Sequence, residues 1–84
     1  MSFEKFYRIY LNTFRKWSAA CYDLIMEDNE ENNRKQQKFN TELEAYRKAY
    51  QVLTGKKIDI ESTGLIDKII VTDKYERKEY VFWS

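Results

Sequence analysis

The stretch EDNEENNRKQQK, residues 27–38, contains no apolar side chain, and its reading decides the fold. It separates two segments with helical spacing. Either one helix runs from residue 3 to residue 54, or the chain turns back near Asp28-Asn29. Electrostatics favours the turn. Glu27, Asp28, Glu30 and Glu31 would oppose the dipole at the end of a first helix, whereas they complement it at the start of a second. Asp28 followed by Glu31 also matches a capping box, with Asp in the N-cap role. The phase of the apolar stripe breaks here as well. A continued heptad would place core positions at 28, 31, 35 and 38, all charged. These features predict an antiparallel helical hairpin, and a single long helix in a dimeric coiled coil is the competing reading.

On the N-terminal side, FEKFYRIYLNTFRKWSAACYDLI spans residues 3–25. Phe3, Tyr7, Tyr10, Phe14, Trp17, Cys21 and Leu24 recur at spacings of three and four, which is one stripe of a helix. Phe6, Ile9, Leu11, Ala20, Tyr22 and Ile25 widen it, so this helix needs more than one neighbour. Ser2 is the expected N-cap and Glu4 complements the dipole. The first helix is expected over about 3–27 and the second over about 30–54. The second carries its stripe on Phe39, Leu43, Tyr46, Tyr50 and Leu53, with Gly55 as its left-handed cap. Glu30 with Arg34, Glu31 with Lys35 and Glu44 with Lys48 have the favourable order of an i,i+4 pair. Folding about residue 30 brings Cys21 to Phe39 and Trp17 to Leu43.

After Gly55 the period changes from 3.6 to 2. KIDIE (57–61), LIDKIIVT (65–72) and KEYVFW (78–83) read as strands separated by Ser62-Thr63-Gly64 and by Asp73 to Glu76. The expected fold is α+β, an N-terminal helical hairpin followed by a three-stranded antiparallel meander in the order ααβββ, forming a single domain over 1–84. Ile69-Ile70-Val71 and Tyr80-Val81-Phe82-Trp83 put apolar groups on both faces of their strands. Helices can cover one face, so the other is expected to present apolar and aromatic surface.

Composition narrows the function classes. Cys21 is the only cysteine and there is no histidine, so no internal disulfide or ordinary His/Cys zinc site is expected. Lacking an activating histidine, Cys21 reads as a small core hydrophobe. The acidic run at Asp28–Glu31 lacks the glycine and distal glutamate of a calcium loop. Gly55 and Gly64 are the only glycines, so there is no phosphate-cradling loop. Asp23, Asp59, Glu61 and Asp67 fall in solvent-facing phases and suggest no acid/base pair. No catalytic residue, metal ligand or cofactor is assigned.

Fifteen basic residues against fourteen acidic ones leave a net charge of +1, which argues against a dedicated nucleic-acid or membrane-surface protein. A basic surface of Arg8, Arg15, Lys16, Arg34, Lys35 and Lys38 is the alternative, serving a nucleic-acid accessory factor. A structural subunit of a larger assembly is a third class. Aromatic content is 17%, more than two short helices and a small sheet readily bury. With no export signal or membrane-spanning run, a cytoplasmic location is expected. The expected function is a non-enzymatic protein-interaction module, a homodimer acting as a regulator or inhibitor. Its Lys/Asn/Ile/Tyr-rich composition suits a phage or mobile-element origin. Its candidate interface is Ile69, Val71, Tyr80, Phe82 and Trp83.

Overall fold

A computed structural model describes residues 3–83, Trp83 by its backbone alone. Two helices, α1 (Phe3–Met26) and α2 (Glu30–Thr54), form a packed hairpin, and the strands β1 (Lys57–Ser62), β2 (Ile66–Thr72) and β3 (Arg77–Trp83) form an antiparallel meander. The chain groups into two compact units that divide within α2, after Ala45. The expected N-cap at Ser2 lies outside the described residues.

In the first unit the turn lies where the charge pattern places it, but its chemistry differs by one residue. Asn29, not Asp28, is the N-cap: its Oδ1 accepts the Asn32 amide at 2.8 Å, and its carbonyl accepts the Asn33 amide at 3.0 Å. The capping box with Glu31 is therefore not formed. Its place is taken by Asn32, whose Nδ2 reaches back to the Glu27 carbonyl (2.8 Å) and the Asp23 carbonyl (3.3 Å). The Glu27 carbonyl lies past the last helical turn, where α1 supplies it no amide, and the Asp23 carbonyl accepts the Glu27 amide at 2.8 Å as well. One asparagine thus starts α2 through its backbone and closes α1 through its side chain.

The same clasp sets the hairpin register. Lys35 reaches across to Asp23 (3.1 Å) and Gln36 donates to the Cys21 sulfur (3.8 Å). Gln36 thus reaches Cys21 from one turn before Phe39, the residue that folding about residue 30 brings to it. Tyr7, Tyr10, Leu11, Thr13 and Ala20 of α1 and Leu43 of α2 are buried. Thr13 satisfies its hydroxyl within the helix, donating to the Ile9 carbonyl at 3.0 Å. The widened stripe of α1 is covered only in part. Leu11 and Ala20 are inside, whereas Ile9, Tyr22 and Ile25 are exposed.

In the second unit, Gly55 ends α2 as expected, with φ of 73° and its amide bonded to the Gln51 carbonyl at 2.8 Å. Leu53, expected on the buried stripe, is exposed, while Tyr50 is inside. Gly64, at φ 84°, makes the turn between β1 and β2. Leu65 belongs to this turn, its amide bonding the Thr63 carbonyl, so β2 begins at Ile66. Asp73 builds the next turn. Its Oδ1 accepts the amides of Tyr75 (2.7 Å) and Glu76 (2.8 Å), an Asx turn that holds Asp73 and Glu76 together. β1 pairs with β2 from Lys57↔Thr72 to Ser62↔Asp67, and β2 pairs with β3 from Ile66↔Trp83 to Thr72↔Arg77.

Candidate functional site

Strand register assigns every sheet residue to a face, because successive side chains alternate. Ile58, Ile60 and Ser62 share a face with Asp67, Ile69 and Val71 and with Lys78, Tyr80 and Phe82. This is the buried face: Ile58, Asp67, Ile69 and Val71 are all inside. Four of the five candidate interface residues lie on it together, Ile69 directly opposite Tyr80. Ile69 has no exposed surface and Val71 is buried, so neither presents itself to a partner. Phe82 is half-buried and Tyr80 is 37% exposed. The Trp83 side chain lies outside the described residues.

The opposite face is mixed, with charged rows over most of its length and apolar residues among them. Its rows read Lys57–Thr72–Arg77, Asp59–Ile70–Glu79, Glu61–Lys68–Val81 and, at the far end, Ile66–Trp83. Arg77 pairs with Glu79 (3.3 Å) and Glu61 (3.8 Å), and Lys68 approaches Glu79 at 3.9 Å. Such exposed pairs contribute about 0–1 kcal/mol each, so they keep the face soluble more than they hold the sheet together. Ile69 and Ile70 have opposite faces because they are adjacent, and only Ile70 joins this charged side, where it is half-buried.

Asp67 also departs from its expected solvent-facing phase. Its register partner is Ser62, and it is only 5% exposed. The Ser62 hydroxyl donates to Asp67 Oδ1 at 2.8 Å, supplying a partner that a buried carboxylate requires. This is a structural carboxylate at the rim of the sheet.

Apart from Tyr80, the large apolar residues that stay exposed among the described residues fall in places the candidate interface omits. Val81 of β3 is 50% exposed and points away from Tyr80 across the strand. Ile25 (81%) with Tyr22 and Met26 at the end of α1, and Val52 (77%) with Leu53 at the end of α2, expose more. Leu65 and Tyr75 stand at the two strand turns. The turn pattern at Asp73 to Glu76 marked Tyr75, and Val52 falls off the stripe of α2, but Tyr22, Ile25 and Leu53 have the spacing of core positions and nothing in the sequence separated them.

The basic residues of the alternative surface are mostly engaged locally. Arg8 pairs with Glu4 at 3.0 Å, Arg34 with Glu30, and Lys35 with Asp23. Lys38 sits 5.7 Å over the Phe39 ring. Arg15 and Lys16 are exposed on α1. Cys21 is half-buried with Gln36 on its sulfur. Among the described residues no three His, Cys, Asp or Glu side chains group to hold a metal ion, and no helix is long and apolar enough to cross a membrane.

Asp73 is a carboxyl whose acidity the fold raises. The amides of Tyr75 and then Glu76, aided by Lys56 and Lys78, hold its carboxyl below the usual aspartate range. No protein-family model, curated protein or solved structure matches the chain.

Proposed function

We propose that the protein is a small non-enzymatic interaction module, a cytoplasmic homodimer that regulates or inhibits another protein by occupying its surface. The observation that carries this reading is β3. It is an edge strand of seven residues, bonded only to β2, with Tyr80 and Val81 exposed on its two faces. An uncovered edge offers a row of backbone donors and acceptors to an incoming strand.

Self-pairing has a register that the charges allow. An antiparallel pair about a twofold axis at Tyr80 sets Glu79 against Val81 and Lys78 against Phe82, with no like charges opposed. Arg77 and Lys78 discourage extension beyond that register, as charged edge residues do. Hydrogen exchange measured at low and high protein concentration tests this proposal. Amides of residues 77–83 should gain protection as concentration rises, while those of β1 stay unchanged. Equal exchange at both concentrations would refute edge pairing.

A further inference from the structure

The end of α2 and the adjoining ends of β1 and β2 enclose two neighbouring hollows, of about 340 and 300 Å³, that share Gln51, Lys57 and Thr72. Arg47 and Asp59 line one, and Asp73 and Lys74 line the other. Lys57 and Thr72 are register partners, so their side chains start about 5 Å apart on one face and can serve one oxyanion.

The two acids in the walls are already engaged. Asp59 faces Arg47 at 3.5 Å and its Oδ1 also takes the Ile60 amide. Asp73 holds two turn amides and faces Lys56 at 3.8 Å. Among the described residues, neither Lys57 nor Lys74 has a carboxylate at ion-pair distance. Two unneutralised ammonium groups, a threonine hydroxyl and a glutamine amide thus border one concavity. We propose that this hollow binds a phosphate group, carried by a small phosphorylated metabolite or by an anionic lipid headgroup. A phosphate monoester has up to two charges and three acceptor oxygens, which matches two lysines plus neutral donors.

Titration of the full chain with inorganic phosphate, followed by amide chemical shifts, tests the site. Saturable shifts are expected at Gln51, Lys57, Thr72 and Lys74. The variant K57Q/K74Q should weaken binding by at least about tenfold, since each lost charge-assisted hydrogen bond is worth about that factor. D59N removes a wall acid and should tighten binding, which keeps the test decisive if the double variant folds poorly. A parallel arm uses phosphatidic acid vesicles against phosphatidylcholine vesicles. Response to free phosphate assigns a soluble ligand, and response only to phosphatidic acid assigns a headgroup. No saturable shift in either arm, shifts spread evenly over Lys16, Lys35 and Lys38, or undiminished binding by K57Q/K74Q would overturn the proposal.

Discussion

Replacing Asn29 with alanine removes the cap at the hairpin corner. Its Oδ1 is the acceptor for the Asn32 amide, and losing an N-cap of this kind costs about 1 kcal/mol, within a range of about 0.5–2. Asn32→Ala acts on the other helix. It deletes donors to the Glu27 and Asp23 carbonyls, and a net hydrogen bond contributes about 0.5–1.5 kcal/mol. The Glu27 bond is exposed, so water replaces it, and the Asp23 bond is long. About 1 kcal/mol for the pair is therefore the expected loss. In a chain of this size, 1 kcal/mol lowers the Tm by about 4–8 °C. The two changes should be less than additive, because Asn29 fixes the backbone of the residue whose side chain does the clasping. Circular dichroism at 222 nm during thermal and urea unfolding reads all three variants. Asp28→Ala is the control, expected within about 0.5 kcal/mol of the parent, as for an ordinary surface change. A loss at Asp28→Ala with none at Asn29→Ala would refute the cap assignment and restore the capping box at Asp28.

Further expectations concern the sheet. Ile69→Ala should cost about 2–5 kcal/mol in urea unfolding, and Val81→Ala under about 1, because Ile69 is fully enclosed and Val81 half exposed; equal losses would contradict the face assignment. Ser62→Ala removes a hydrogen bond to the buried Asp67 carboxylate and should cost about 1.5–3 kcal/mol by the same assay, with no change showing that water takes its place. The Asp73 carboxyl is acidified in the folded turn, so its contribution is present above the unfolded value near 3.9 and is lost as pH falls through the lower folded value. Carboxyl carbon shifts during a pH titration should place Asp73 below the other aspartates, with the Tyr75 and Glu76 amides losing protection on acidification. Titration of Asp73 above its peers would contradict this.

Architecture was legible in the sequence because its signals agreed across levels. The charge pattern around Asp28, the phase break and the change of period after Gly55 each implied the hairpin and meander that form. Finer features depended on contacts that spacing does not encode. Asp28 and Asn29 are equally good cap residues, and only the helix geometry selects between them. Asp67 looked solvent-facing because its protection comes from Ser62, a register partner across a turn. The apolar surplus was expected on the strands by counting side chains. Alternation removes Ile69 and Val71 to the inside, and the larger exposures fall at the strand turns, on Tyr75 and Leu65, and at the helix ends, on Ile25 and Val52. Which apolar residues lie on the surface is decided by neighbours, not by composition.

Sedimentation equilibrium of the full chain and of Val81→Glu tests the interaction account most directly. The account predicts a reversible monomer–dimer equilibrium for the parent and a monomer for the variant, whose new carboxylate would oppose Glu79 of the second copy twice across the twofold axis. A parent that stays monomeric throughout the concentration range, or a variant that dimerises as well as the parent, would contradict it.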